Sequence, residues 1–257
     1  MIQWTAFLKK EWIEFTRSKR VWIVLAVCIF FGIMNPAIAK LTPWMLEYFS
    51  DSFSEMGIVT GQVQIDALTS WAQFDKNYSL LLILILLLLS NLLTEEYQKG
   101  TLIPIITRGM SRWKVLTVKS AMAAAVWTAG YWLCVLITYG YNEYFWGSQT
   151  ADHLFLYCGC LYLAGLWMTI ALISASAYFS SSTGVILCSI LEFALSYCIG
   201  MTDAAGRYVP THLLNASLLL SGNAEISDYA ASALVTGIIA AVHLALAVFI
   251  FQRKNLC

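Results

Sequence analysis

Six apolar stretches, each near the length that crosses a lipid bilayer, constrain the fold of this chain most strongly. A transmembrane helix needs about 20 apolar residues to span a hydrocarbon core of roughly 30 Å. Stretches of this kind are predicted at residues 21–39, 77–94, 115–139, 153–179, 185–201 and 229–251. Charged residues make up 12% of the chain, about half of the ~25% typical of soluble domains. The sequence therefore predicts an all-α polytopic membrane protein with six transmembrane helices in a single domain, residues 1–257.

Two of the connecting segments are predicted to be polar loops on the same side of the membrane. The first covers residues 40–77 and holds the acidic residues Glu47, Asp51, Glu55, Asp66 and Asp75. The second is short and covers residues 140–152. Asn35-Pro36 lies late in the first span. Because proline removes a backbone donor, we expect a kink near the outer end of that span.

Residues 1–20 have the pattern of an amphipathic helix that lies flat on the membrane. Apolar side chains recur at helical spacing, namely Trp4, Phe7, Leu8, Trp12 and Phe15. Charged side chains occupy much of the remaining circumference, namely Lys9, Lys10, Glu14 and Arg17. Tryptophan together with basic residues favours the headgroup zone, so we predict an interfacial helix with its aromatic side chains among the acyl chains. A helix packed on other protein is the alternative.

Residues 202–229, between spans five and six, form a longer polar and semi-apolar stretch. It contains Pro210 and an apolar run at 213–220. That run is too short to cross the bilayer, so we predict a re-entrant or outer helical segment.

The distribution of charge predicts the orientation. Six spans place both termini on one side, and most of the 15 basic residues fall in the terminal segments and in residues 95–119. These are Lys9, Lys10, Arg17, Lys19, Arg20, Lys99, Arg108, Arg112, Lys114, Lys119, Arg253 and Lys254. Lys40, Lys76 and Arg207 remain for the opposite side. Because cytoplasmic loops are enriched in Lys and Arg, both termini and residues 95–113 are predicted to face the cytoplasm, with the protein in the plasma membrane.

The chain lacks the motifs of common catalytic and nucleotide-binding sites. It has no Gly-rich phosphate-binding loop ending in Lys-Ser/Thr, no His-Glu-x-x-His and no Gly-x-Ser-x-Gly. The histidines His153, His212 and His243 are scattered. We therefore expect no catalytic residue, no metal site and no nucleic-acid partner in this chain.

Three polar residues within the spans are candidates for a transport pathway. Glu192 lies in the middle of span five, and His243 in the middle of span six. Ionisable side chains in lipid are expensive and face the bundle interior or a wet cavity. Each can instead be a structural residue with a polar partner on a neighbouring helix. Asn91 is a third candidate, and both Asn91 and Asn35 are expected to form interhelical hydrogen bonds.

The most charged internal segment, residues 95–113, separates spans two and three. A charged segment with a turn must lie in water, where it can meet a soluble partner. Glu95 and Glu96 favour a helix N-terminus through the helix dipole, and Gly100 permits a turn. Arg108 and Arg112 can pair with acidic groups of a partner. A simple solvated loop is the alternative.

Two groups of residues in this chain match a known family pattern. The first is Phe7-Leu8-Lys9-Lys10-Glu11-Trp12 with Arg17-Ser18-Lys19-Arg20, and the second is Glu95-Glu96-Tyr97-Gln98-Lys99-Gly100-Thr101-Leu102 with Thr107-Arg108 and Ser111-Arg112. Together with the six spans, they resemble the permeases of ABC-2 type transporters. The chain departs from the pattern at Gly109, where proline is usual, and at Pro104, which interrupts a stretch that is usually rich in leucine.

The resemblance implies a non-catalytic subunit of an ATP-driven exporter. Two permeases, identical or paralogous, form the membrane pathway, and each docks one separate ABC ATPase subunit that binds ATP and Mg. The segment between spans two and three is then the coupling helix. Its implied docking residues are Glu95, Glu96, Tyr97, Gly100, Thr101, Leu102, Arg108 and Arg112. The N-terminal helix, with Trp4, Phe7, Leu8 and Trp12, lies along the membrane lipids beside the same partner. The family exports amphipathic cargo such as peptides, drugs and lipids.

Two other classes of function stay open. One is a stand-alone intramembrane enzyme that uses Glu192 with His243 or His153. The other is a pore or an ion-coupled carrier. Both need paired ionisable residues in the spans, and the sequence alone shows no such pair.

Overall fold

The computed structural model describes residues 2–49, 66–147, 151–202 and 204–254. The helices in chain order are α1 (Ile2–Arg17), α2 (Lys19–Tyr48), α3 (Ala67–Leu89), α4 (Asn91–Lys99), α5 (Leu102–Thr107), α6 (Arg112–Trp146), α7 (Leu154–Tyr178), α8 (Ser182–Gly200), a 3-10 helix (Pro210–Asn215), α9 (Ser217–Leu220) and α10 (Ile226–Arg253). Six of these elements are long and apolar enough to cross a membrane: α2, α3 continued by α4, α6, α7, α8 and α10. The prediction of an all-α polytopic membrane protein with six spans is confirmed.

Several helices extend well beyond the predicted spans. The helix α2 continues through Pro36 and Pro43 to Tyr48, and α3 begins at Ala67. The predicted loop at 40–77 is therefore wrong at both ends, and its residues Asp51 and Glu55 lie outside the described residues. The predicted loop at 140–152 is wrong at its start, because α6 runs to Trp146.

These errors share one physical cause. Hydropathy falls where a helix leaves the lipid, but helical hydrogen bonding continues until the backbone geometry breaks it. At α6 the break comes at Gly147, whose φ of 74° ends the helix. At α3 the start is set by Asp66, whose carboxylate accepts a hydrogen bond from the Thr69 N–H at 2.9 Å.

Buried aromatic side chains hold α3, α6 and α7 together. Trp71 and Phe74 of α3 pack near Tyr157 of α7, with ring centroids 6.3 and 6.5 Å apart. The buried hydroxyl of Tyr131 donates to the Cys158 carbonyl at 2.7 Å, so this polar atom is paired as burial in lipid requires. A Cβ on Gly165 would lie 1.9 Å from the Trp127 ring, so only glycine permits the close approach of α7 to α6.

A polar contact also joins α2 to α3. The Asn77 amide donates to the Asn35 amide oxygen at 2.8 Å, which confirms the expected interhelical hydrogen bond of Asn35. The helices α8 and α10 leave most of their apolar surface uncovered, as Leu187 and Leu234 illustrate with exposed fractions of 60% and 64%. These two spans therefore form the least enclosed side of the bundle.

The first helix, the segment after α4 and the last described residues meet at one end of the bundle. The Arg112 guanidinium donates to the carbonyls of Gln252, at 3.2 Å, and Lys254. The Lys254 ammonium in turn donates to the Tyr178 carbonyl, at the end of α7. An even number of spans brings the two ends of the described chain to the same side.

Candidate functional site

The segment that joins α4 to α6 forms a short helix between two glycine turns. Gly100 ends α4 with a φ of 65°, and Gly109 follows α5 with a φ of 90°. Positive φ is unstrained only for glycine, so these two residues set the geometry of the turns. Glu95 and Glu96 lie in the last turns of α4. The expectation that they begin a helix is therefore wrong, because that helix already starts at Asn91.

The helix α5 is anchored at both ends and exposed between them. Leu102 and Met110 are buried, with 1% and 8% of their surface exposed. Between these anchors Ile103, Pro104 and Arg108 are exposed. Pro104 occupies the first turn of α5, where its missing N–H has no partner to lose. The departure from the leucine-rich pattern is thus compatible with a helix, and the segment presents a small, firmly held surface.

A buried ionic cluster lies behind this segment. It consists of Lys10, Glu11, Glu14, Glu96 and Lys119. The Lys119 ammonium of α6, 2% exposed, donates to Glu96 of α4 at 2.8 Å and to Glu11 of α1. Lys10 pairs with Glu11 and Glu14 at 2.8 and 2.7 Å. Buried charges are tolerated when they are paired in this way, so the ionic cluster ties α1, α4 and α6 together.

The lysines of the ionic cluster largely offset the charge of its carboxylates. The carboxylates of Glu11, Glu14 and Glu96 approach within 4.8 Å of one another. The ammonium groups of Lys10 and Lys119 already lie between them, so the attraction for a further cation is largely offset. The hydrogen bond from Lys10 lowers the pKa of Glu14 below its usual range.

Other predicted docking residues are held within the chain. The Tyr97 hydroxyl donates to the Ser176 carbonyl at 3.1 Å, and the Lys254 ammonium lies 4.1 Å from its ring centroid. Glu95 is half-buried and pairs with Arg20 and Lys99. Glu96, Tyr97, Leu102 and Arg112 thus contact other helices, whereas Thr101 and Arg108 are exposed.

The apolar side chains of the N-terminal helix differ in how deeply they are buried. Phe7 is buried, and Leu8 packs against the core of the bundle. Trp4 and Trp12, by contrast, have 37% and 53% of their surface exposed. The expectation that the aromatic side chains lie among the acyl chains is wrong for Phe7, which packs in the core beside Leu8. Their face continues with Glu11, so the helix packs on protein through one side and leaves both tryptophans outside.

Glu192 and His243 are brought together within the membrane bundle. Oε1 of Glu192 in α8 lies 3.3 Å from Nδ1 of His243 in α10, and both side chains are half-buried. Neither of these two atoms forms a hydrogen bond within the part of the chain that the structure describes. The indole of Trp167 in α7 also lies close to the Glu192 carboxylate. Asn91 is exposed at the start of α4 and His153 at the start of α7, apart from this pair.

The sequence indicated most of the residues of these two sites, but not which of them form pairs. Lys119 was assigned to a cytoplasmic segment, and Glu11 was not singled out. One signal was present, because Glu11 follows Phe7 by four residues and therefore lies on the buried face of α1. The pairing of Glu192 with His243 had no local signal, because the two residues belong to different spans.

These features define a multi-span transporter-like membrane domain without catalytic motifs of its own. A family model described as ABC-2 family transporter protein matches residues 7–201. The match covers well over half of the chain, which therefore belongs to the ABC-2 transporter family and is a permease of an ABC transporter. This family implies association with ABC ATPase components. A search among curated proteins finds no significant match.

Proposed function

We propose that this chain is the permease of an ABC exporter, which pairs with a second permease and is driven by two separate ATPase subunits. The proposal rests most directly on α5, a short exposed helix anchored at Leu102 and Met110. The partner subunits bind ATP and Mg. This chain supplies the membrane pathway and carries out no hydrolysis.

The contacts behind α5 suggest how motion reaches the spans. Force on α5 passes through Leu102 and Gly100 to α4. From α4 it passes through Glu96 to Lys119, near the start of α6, and through Lys119 to Glu11 of α1. Because the charges are buried and paired, α1 and α6 follow α4 rather than slide past it. The end of α7 follows through the hydrogen bond of Tyr97.

The proposed orientation places this end of the bundle in the cytoplasm, with the protein in the plasma membrane. The end that carries α1, α5 and the end of α10 also carries most of the basic residues. That asymmetry supports the orientation through the positive-inside rule. Trp4 and Trp12 of α1 suit contact with membrane lipids at this interface.

For the pathway we propose a role for Glu192 and His243, with Asn91 near its cytoplasmic end. Oε1 of Glu192 and Nδ1 of His243 form no hydrogen bond among the described residues, so these atoms are available to a ligand or an ion. The cargo that this arrangement suits is amphipathic, as a peptide, a drug or a lipid is.

Docking can be tested by co-purification of this chain with its ABC ATPase partner. The variant Ile103→Asp/Arg108→Glu changes only exposed residues, so we expect the permease to fold and the ATPase to be lost. Arg253→Glu makes the same arginine-to-glutamate change as at position 108, at the same end of the bundle but outside α5, and we expect it to retain the ATPase. Retention of the ATPase by the α5 variant would exclude the proposed docking surface.

The pairing of Glu192 with His243 favours one second candidate, an ion-coupled carrier or intramembrane enzyme. Such a protein needs paired ionisable groups in its spans, which the sequence alone did not show. Glu192 and His243, 3.3 Å apart, form such a pair. Transport into proteoliposomes without ATP, driven by a pH gradient and lost in Glu192→Gln, would support this candidate. ATP-dependent transport that ignores the pH gradient would exclude it.

A further inference from the structure

A polar cavity lies at the end of the bundle opposite to α5, between the end of α8 and the 3-10 helix. Its volume is about 600 Å³, and its lining includes Tyr197, Gly200, Arg207, Thr211, His212 and Asn215. We call it the outer vestibule. Arg207 is one of the three basic residues predicted for this side, where acidic residues predominate. Arg207 is therefore a basic residue in a cavity on a side of the protein where most charged residues are acidic.

The polar groups of the outer vestibule suit an anion. Arg207 is exposed, and Nδ1 of His212 is buried without a hydrogen-bond partner among the described residues. The nearby carboxylate of Asp228 is engaged, since it accepts a hydrogen bond from the Glu225 N–H and caps the start of α10. A guanidinium with free donors is the protein group best matched to a phosphate or a carboxylate.

An apolar groove begins where the outer vestibule ends. It has a volume of about 370 Å³ and lies between α3, α7 and α8, with Leu82, Leu86, Leu172, Ile186, Ile190 and Phe193 in its lining. Leu214 lines both the groove and the outer vestibule. The residues that α8 contributes to the groove and the vestibule recur every three or four positions. They form one helix face, so the groove and the outer vestibule lie in line along α8 and adjoin at Leu214. We call the two together the path.

The path is long enough for an amphiphile whose alkyl chain crosses one leaflet. From Gly200 in the outer vestibule to Ile186 in the groove, α8 rises about 21 Å. Half of the hydrocarbon core is roughly 15 Å thick. A polar headgroup at Arg207 would thus lie at the outer surface, while its alkyl chain would run past Phe193 and reach beyond the middle of the bilayer near Ile186.

We propose that this path binds an anionic amphiphile, with a phosphate or carboxylate headgroup at Arg207 and His212 and an alkyl chain in the groove. The occupant is identified by two matched properties, a basic polar end and an apolar channel that continues from it. As the cargo class of the permease it rests on the proposed function, but binding itself involves this chain alone.

The test is photo-crosslinking of lysophosphatidylglycerol that carries a diazirine on its acyl chain. The full-length chain is purified in maltoside detergent without any ATPase, and the cross-linked peptides are identified by mass spectrometry. We expect labels on the groove faces of α3 and α8. We expect competition by unlabelled lysophosphatidylglycerol, and none by hexadecyltrimethylammonium or inorganic phosphate.

Two pairs of variants separate the headgroup from the chain. Arg207→Gln should weaken binding about tenfold, as expected for one lost charge-assisted contact, whereas Lys76→Gln, an exposed basic residue predicted for the same side, should not. Ile186→Trp should block labelling of the groove, whereas Leu187→Trp, one residue away on the exposed face, should leave it unchanged.

Three results would overturn the proposal. Equal binding by wild type and Arg207→Gln would show that Arg207 does not bind the headgroup. Equal competition by the cationic amphiphile would show that the path does not select for negative charge. Competition by inorganic phosphate alone would show an anion site that needs no chain. Because no ATPase is present, none of these outcomes bears on docking at α5, and a failure of docking would leave this binding result intact.

Discussion

Two sets of ionisable side chains in this permease differ in how completely they are paired. In the ionic cluster at the α5 end, Lys119 and Glu11 are almost fully enclosed, and Lys119 bonds to carboxylates on two other helices. In the span region, Glu192 and His243 face each other at 3.3 Å, half-buried and without a hydrogen bond between them. Each charge of the first set has a partner of opposite charge, although Oε2 of Glu96 has no hydrogen bond among the described residues. The second set is left incomplete.

The difference suggests different tasks. A closed network of buried charges resists rearrangement, because breaking one contact leaves another charge unpaired in a low-dielectric site. An incomplete pair can accept a proton, an ion or a polar group of the cargo with little loss. Rigidity is thus expected where force enters the spans, and adaptability where cargo passes.

Removal of the central cation should have the largest effect. Lys119→Met leaves Glu11 and Glu96 buried without it, so we expect a loss of about 3–5 kcal/mol in the free energy of unfolding. Denaturant unfolding of the detergent-purified protein measures this loss. The matched control is Lys99→Met, which removes an exposed i,i+4 partner of Glu95 and should change stability by only ~0.3–0.5 kcal/mol. Similar losses in both variants would mean that the ionic cluster is not a closed network.

The sequence was sufficient to predict the six spans, but not the pairing of the charges in the ionic cluster. Hydropathy alone identified all six spans, because lipid imposes the same requirement on each of them. It could not pair Lys119 with Glu11, 108 residues away, since that contact depends on how α1 folds back on α6. Helix ends such as Tyr48 and Trp146 were missed because they lie beyond the apolar stretches.

Neutralisation of the incomplete pair should affect stability less than function. Glu192→Gln keeps the shape of the side chain and breaks no hydrogen bond with His243, so we expect a change in unfolding free energy of at most about 1 kcal/mol. ATP-driven transport in proteoliposomes should fall several-fold, because the group available to cargo is lost. A strong loss of stability with normal transport would assign Glu192 to a structural role instead.

The smallest expected effect concerns pH and the exposed edge of the ionic cluster. Lys10 lowers the pKa of Glu14 below its ordinary value of 4.5, so the pair stabilises the fold above that pH. Its contribution should disappear as the pH falls through the lowered pKa. Thermal unfolding midpoints of wild type and Glu14→Gln should differ slightly at pH 7 and converge as the pH falls through the lowered pKa of Glu14. A difference that grows on acidification would contradict the pairing.

The central claim, that the ATPase docks on α5, is tested most directly by site-specific photo-crosslinking in the membrane. A benzophenone amino acid is placed at Thr107, exposed at the end of α5, and separately at Tyr144, which is 82% exposed near the other end of α6. We expect a cross-link to the ATPase from position 107 and none from position 144. A cross-link from position 144, or its absence at position 107 in an active complex, would contradict both the docking surface and the orientation of the chain.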